Sequence, residues 1–183
     1  MVFISGGNEL LDANKIIKRL ELKPGSQVAD LGCGGAGHFV LPTAQSINPN
    51  GTAYAVDIQK VVLFSVASRA RLQGIGNVKT VWSNLEMVGA TKIPAESLDA
   101  TYLINTLFQS KQHAKIMEEA KRLLKPEGKL LVIDWLRDTG RFGPAAENRV
   151  DPDEILEIAK KLNFSLFEKF KAGEYHFGFI FEK

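Results

Sequence analysis

Five residues in the first third of the 183-residue chain have the types and spacing to hold a nucleoside-bearing ligand. Gly32, Gly34 and Gly37 satisfy Gly-x-Gly-x-x-Gly directly after the short apolar run that ends at Leu31. Glycines between a strand and a helix let a ligand approach bare backbone, and the free N–H groups of the following helix end suit an anion or a carboxylate. The same spacing also describes a tight strand-to-helix turn with no ligand at all. Asp57 lies 20 residues beyond Gly37, where an acid closing a second strand can accept both hydroxyl groups of a ribose. Asp30, two residues before Gly32, separates the ligand classes. A carboxylate there repels the pyrophosphate of a dinucleotide and suits a cation, such as an amino-acid ammonium or its adjoining sulfonium. No Gly-Lys-Ser/Thr follows the glycines, which argues against an ATP phosphate loop. A nicotinamide-dependent oxidoreductase is left with the glycine spacing alone.

The elements that must position these residues alternate between short β-type runs and helical periodicity, the pattern of an α/β protein with a mostly parallel sheet. A helix is expected over Leu10–Leu22, stopped by Lys23-Pro24-Gly25, and the first strand over Gln27–Leu31. The expected sequence continues with a helix over Phe39–Ser46, a strand over Thr52–Val56 closing at Asp57, a helix over Val61–Gln73 and a strand over Val78–Trp82. A fourth strand is expected over Leu98–Asn105 and an amphipathic helix over Lys111–Leu124. The turn Lys125–Gly128 then leads into a fifth strand, Lys129–Asp134, whose unbroken apolar run suits a position covered on both faces. Asp151 reads as an N-cap, with Pro152 at the first helical position of a helix reaching about Leu162. Ser165–Lys171 and Tyr175–Glu182 are β-rich, and the three residues between them are too few for a crossover helix, so these two strands must form an antiparallel hairpin.

Composition limits the class. With 45% hydrophobic residues and a net charge of +2, the chain is long enough for one cored domain, 1–183, and gives no strong pull toward nucleic acid or acidic lipid. Mixed-charge stretches such as Lys115–Lys125 read as solvated helix faces. A single cysteine, Cys33, excludes an internal disulfide, and with no Cys/His cluster no metal is expected. No segment approaches a membrane span and the N-terminus lacks a signal-peptide pattern, so a cytoplasmic protein is expected.

The segments Val28–Gly37, Ala53–Gln59, Val81–Glu86, Ser97–Phe108 and Leu123–Trp135 resemble, in order, the motifs of class I S-adenosylmethionine-dependent methyltransferases. The resemblance covers nearly the whole chain and is greatest to small members related to the quinone-biosynthesis and arsenite methyltransferases. It implies a Rossmann-like, doubly wound sheet of seven strands in the order 3-2-1-4-5-7-6 with strand 7 antiparallel, which the inferred hairpin fits. It also implies S-adenosylmethionine as cofactor and S-adenosylhomocysteine as product. By the resemblance, Asp30 lies near the methionine end, Gly32 and Gly34 let the cofactor lie on the backbone, and Asp57 binds the ribose. Ile58 flanks the adenine, Asn84 stands where the family often has Asp and can still accept from the adenine amino group, and Leu85 offers a backbone N–H. Asn105, ending the fourth strand, is placed where backbone contacts to the methionine part are made.

Ligands of open α/β sheets bind beyond the carboxyl ends of the strands, which makes Thr106, Phe108, Asp134, Trp135 and Arg137 the candidate acceptor-site residues. His38 is the candidate general base, or else a solvated helix-start histidine. His113 and His176 read as structural or solvent-facing, and Cys33 as a packing residue. Residues 137–149 read equally as a lid or as a plain connection, and residues 4–11 either fold over the same end or fray. Arsenite methylation is argued against, because the related enzymes hold arsenic with several cysteines and this chain has one. The expected acceptor is a small organic molecule, with no nucleic acid or membrane partner, in a monomer or homodimer. The alternative is an S-adenosylmethionine-binding sensor or regulatory subunit without catalysis.

Overall fold

The computed structural model describes residues 10–138 and 142–183. Seven strands, β1 (Gln27–Leu31), β2 (Thr52–Asp57), β3 (Val78–Trp82), β4 (Leu98–Ile104), β5 (Leu124–Trp135), β6 (Ser165–Ala172) and β7 (His176–Glu182), form one sheet in the order β3-β2-β1-β4-β5-β7-β6. The first five are mutually parallel, and β7 runs antiparallel to both β5 and β6. The expected fold class and strand order are therefore those observed.

Two helical layers cover the sheet. Helices α1 (Ala13–Lys18), α2 (Val40–Ser46) and α3 (Lys60–Leu72) share one apolar cluster with Val28, Ala55, Tyr102, Ile104, Ile133 and Ile180. On the opposite face, α4 (His113–Leu123) and α5 (Pro152–Lys161) pack with Leu31, Leu103, Val132, Phe177, Phe179 and Phe181. Alternate residues of each strand thus enter different cores, which explains the unbroken apolar run of β5. Among the described residues, no helix is long and apolar enough to cross a membrane.

Element ends differ from the sequence reading for identifiable reasons. The helix expected over Leu10–Leu22 is shorter. Asp12 caps it by accepting from Lys15 N (3.1 Å), and after Lys18 the bonds tighten to Arg19 N→Ile16 O and Leu20 N→Ile17 O before Glu21 turns to φ +54°. β4 ends one residue early because Asn105 takes φ +53°. The Lys125–Gly128 turn lies inside β5 as a bulge: from Leu98 to Ala100 the partner shifts from Leu124 to Lys129. Asp151 caps α5 as expected, accepting from Asp153 N (3.0 Å) with Pro152 in the first turn.

One expectation changes at Glu119, and His113 takes the structural one of its two readings. Glu119, inside a stretch read as a solvated face, is fully buried and paired with Arg122. His113 is also buried, with its Nδ1 2.9 Å from Glu154 Oε1. The opening residues 4–9 and residues 139–141 of the 137–149 segment lie outside the described residues.

Candidate functional site

The carboxyl ends of β1, β2 and β4 open onto two cavities that meet at Gly32. The first, of about 260 Å³, is lined by Asp30, Cys33, His38, Asn105 and the apolar side chains of Leu10, Leu11, Phe39 and Ile104. The second, of about 300 Å³, is lined by Asp57, Ile58, Gln59, Ser83, Asn84, Leu85 and Thr106, among others. Seven of the eight residues singled out for the cofactor, from Asp30 to Asn105, therefore fall on one continuous groove; the eighth, Gly34, sits at its edge beside Asp57.

Gly32 is demanded by geometry. Its φ is +84°, and an added Cβ would lie 2.6 Å from Thr106 Oγ1. That hydroxyl donates to Leu31 O (2.9 Å), tying the end of β4 to the end of β1. Gly32→Ala is expected to cost about 2 kcal/mol through left-handed strain and displacement of Thr106, seen as a lower urea midpoint with unchanged slope. Gly34 also has positive φ, +63°, but open space where a Cβ would project, so here the need is for bare backbone at the groove.

The two acids hold different roles. Asp57, at the tip of β2, accepts from Gln59 N (2.9 Å) with one carboxylate oxygen and from Gly34 N (3.4 Å) with the other. It thereby fixes the glycine loop and still has lone pairs for the groove it lines. Asp30 is buried, and burial raises its pKa to about 7; the Val40 N–H opposes the shift and the Asp57 charge adds to it. A buried carboxyl held at half-ionisation near neutrality is matched to a cationic ligand and mismatched to pyrophosphate. Asn105 Oδ1 is buried without a partner among the described residues, an acceptor in the cavity of Asp30. An ammonium N–H would satisfy it. The donor set fits the methionine end of S-adenosylmethionine.

In the second cavity, Ile58 is 54% exposed and Leu85 is buried. Asn84 Oδ1 accepts from Glu86 N (3.0 Å), which shapes the turn and leaves one lone pair. Sequence reasoning missed Ser83 and the bridge from Ser110 Oγ to Glu86 Oε1 (2.5 Å) at this cavity. It also missed the clamp behind it. Glu119 accepts from Gly89 N (2.7 Å) and Thr91 N (3.1 Å), and Arg122 reaches Thr91 O (3.1 Å). Thr91 Oγ1 then meets Ser83 Oγ at 3.0 Å. A Glu and an Arg three residues apart on a predicted helix were the available signal.

The acceptor-site residues expected from sequence do not gather at the groove. Only Thr106 lines it. Asp134 is fully buried on the α4 side and accepts from Trp135 N (2.8 Å) and Phe108 N (3.2 Å), while burial raises its pKa to about 6. It anchors the short 3-10 turn Leu107–Gln109, and Phe108 packs into the core beside it. Arg137 pairs with Asp151 (3.3 Å), and its carbonyl accepts from Arg149 Nη1 (2.6 Å). Trp135 stacks on buried His176 with centroids 4.1 Å apart. His38 lines the cavity of Asp30, with its Nε2 2.8 Å from Leu11 O. A carbonyl can only accept, so Nε2 carries the hydrogen and Nδ1 is the basic nitrogen.

Comparison with known proteins matches residues 22–164 to a methyltransferase-domain family. The chain is 29% identical over 133 residues, 72% of its length and 51% of the relative's, to the ubiquinone/menaquinone biosynthesis C-methyltransferase of Marinomonas sp. strain MWYL1. It spans about half the length, or less, of the curated relatives it matches. Among solved structures, a SAM-dependent methyltransferase from Aquifex aeolicus superposes with TM-score 0.86 at 26% identity, covering 96% of this chain and 91% of that one. The [4+2]-cyclase SpnF shares the fold at TM-score 0.79 and 16% identity, covering 93% of this chain and 79% of that one.

Proposed function

From the premise that this chain belongs to the class I S-adenosylmethionine-dependent methyltransferase family, we propose that it transfers a methyl group from S-adenosylmethionine to a small organic acceptor. The observation that carries the reading is the single groove joining Asp30, Gly32 and Asp57, with a near-neutral buried carboxyl at one end and a ribose-type acid at the other. When bound, the cofactor supplies a methyl group already activated on a sulfonium. The chain's own residues bind, orient and exclude water. Asp57 accepts from the ribose hydroxyls, Ile58 flanks the adenine, Leu85 offers it a backbone N–H, and Asn84 accepts from its amino group. The backbone at Gly32 and Gly34 lies against the cofactor. Asp30 and Asn105 Oδ1 face its cationic end. His38 Nδ1 is available to take a proton where the acceptor carries one.

The test is release of S-adenosylhomocysteine when the protein is incubated with S-adenosylmethionine and a broad panel of small hydroxyl, amine, thiol and carbon acceptors. Turnover with any of them supports the reading. Cofactor binding without turnover across the panel would leave the sensor alternative in its place.

Asp30 also sets a pH dependence. Its carboxyl is about half protonated near pH 7 in the free protein, and only the ionised form attracts the cofactor's cationic end. Affinity for S-adenosylmethionine is therefore expected to fall by up to about tenfold per pH unit below about pH 7 and to level off above it. Without cofactor the sign for stability is the reverse. The folded pKa lies above the ordinary 3.8, so this group's contribution is present in acid and is lost as pH rises toward about 7. Calorimetric titrations at about pH 5.5, 7 and 8 check the first statement. An affinity that does not change with pH would remove Asp30 from the cationic end.

A further inference from the structure

The outward face of α3 has the wrong composition for a helix that meets only water. Leu63, Val66 and Ala70 turn into the core. On the opposite side, at helical spacing, stand Val61, Phe64, Ser65, Ser68 and Leu72, with Phe64 74% and Leu72 82% exposed. A surface helix ordinarily places charged and polar residues there. The apolar patch continues beyond the helix. Ile58 and Trp82 are each more than half exposed, and the Trp82 indole N–H donates to Ile58 O (2.7 Å), joining the end of β3 to the residue that follows β2. Ile58 also lines the second cavity, so the rim of the groove lies at one end of the patch.

The charge of this face is equally one-sided. Residues 60–82 hold Lys60, Arg69, Arg71 and Lys79 and no acid. With 23 cations and 21 acids in the whole chain, the other residues carry 19 against 21. The small net charge therefore conceals a basic face on an otherwise slightly acidic molecule. All four cations are exposed, and none makes an ion pair among the described residues. Lys60 and Lys79 lie over the Trp82 and Tyr54 rings, 5.5 and 5.8 Å from the centroids. Around the helix axis, Lys60 and Arg71 flank the apolar stripe on one side and Arg69 on the other. Arg69 and Arg71 suit the negative end of the helix dipole, but Lys60 is the first residue of α3, where a cation is unfavourable. Helix stability does not account for the set, whereas an external anionic surface does.

We propose that this face docks the chain peripherally on an anionic lipid bilayer, with Val61, Phe64, Leu72 and Trp82 entering the headgroup–acyl boundary and the four cations meeting headgroup phosphates. Aromatic and aliphatic side chains flanked by Lys and Arg are the composition of an interfacial helix. The long Lys and Arg stems let the charges reach phosphates while the stripe between them is buried. A second copy of the chain is a poor occupant, because a two-fold contact through α3 would set these cations against their own counterparts with no acid in the segment. Nucleic-acid interfaces are polar and strongly basic, whereas the centre of this patch is apolar. The contact is peripheral, since no helix among the described residues is long and apolar enough to cross a membrane. This inference goes beyond the methyl-transfer reading and does not depend on it.

The test is flotation of the full chain with vesicles of equal parts phosphatidylglycerol and phosphatidylcholine, and with vesicles of phosphatidylcholine alone. Wild type is expected to float with the first and not the second, and added salt should weaken the binding. Phe64→Ser should lose at least about tenfold in vesicle affinity. Arg69→Gln combined with Arg71→Gln should lose about 30-fold. Lys160→Gln combined with Lys161→Gln, two exposed cations at the end of α5, should leave the affinity unchanged. All three variants should keep the wild-type unfolding midpoint and S-adenosylhomocysteine affinity, because the altered side chains are exposed and line neither cavity of the groove. The assignment is overturned if wild type does not float with the anionic vesicles, if it floats as well with phosphatidylcholine alone, if the α3 variants float as well as wild type, or if the α5 variant loses as much as the arginine pair. Binding to polyglutamate or to duplex DNA without flotation would overturn it too, putting an acidic protein or a nucleic acid on this face in place of the bilayer.

Discussion

Asp57→Ala is expected to weaken S-adenosylmethionine binding by about 100-fold with the fold retained. The carboxylate closes β2 at the groove, where it is placed for both ribose hydroxyls, and two charge-assisted hydrogen bonds together are worth roughly 3 kcal/mol, or about two factors of ten. The side chain also accepts from Gly34 N and Gln59 N, so its loss loosens the turn that presents the glycine backbone. Both freed N–H groups border the groove and can be hydrated, so circular dichroism and the unfolding midpoint should change little. Asp57→Asn keeps one carbonyl acceptor and should lose about tenfold. An alanine variant that binds as well as wild type would remove Asp57 from the ribose site.

Glu119→Ala is expected to be strongly destabilising, at about 3–5 kcal/mol. Glu119 is fully buried. Although burial favours its neutral form, the Arg122 guanidinium and the Gly89 and Thr91 N–H groups hold its pKa down to about 2. Truncation leaves two backbone N–H groups and the Arg122 Nε–H without their acceptor, and leaves the guanidinium charge without its carboxylate. Urea unfolding should show a lower midpoint at unchanged slope. Cofactor affinity should fall too, because Thr91 hands the clamp on to Ser83 in the second cavity, the one proposed for the adenine. The double change Glu119→Leu with Arg122→Met removes both charges and should recover part of the stability, but not the ordered 89–93 loop.

The parts of this molecule legible in the sequence were those governed by local rules. Val78–Trp82 and the α5 cap follow from periodicity and capping chemistry, and the terminal hairpin follows from a three-residue connection that admits nothing else. The residues of the groove proposed for the cofactor were legible for the same reason, since Asp30, Gly32 and Asp57 sit at fixed offsets from strand ends. The acceptor side was not. Asp134 and Trp135 are neighbours in sequence, yet strand alternation sends one into the α4 core as an anchor for backbone N–H groups and the other to the opposite face beside His176. Which face meets the cofactor depends on the pairing of β4, β5 and β7, a non-local fact. The Glu119–Arg122 clamp was hidden in the same way: an acid and a base at helical spacing look identical on a wet face and in a core, and only the packing of the 89–93 loop distinguishes them.

The central claim is that the groove from Asp30 to Asp57 holds S-adenosylmethionine. Its most direct test is a calorimetric titration of the purified chain with S-adenosylmethionine at about pH 8, where Asp30 is ionised. A one-to-one binding isotherm, lost in Asp57→Ala, is the predicted result. No heat of binding at high-micromolar cofactor, or tighter binding of a nicotinamide dinucleotide in its place, would contradict it.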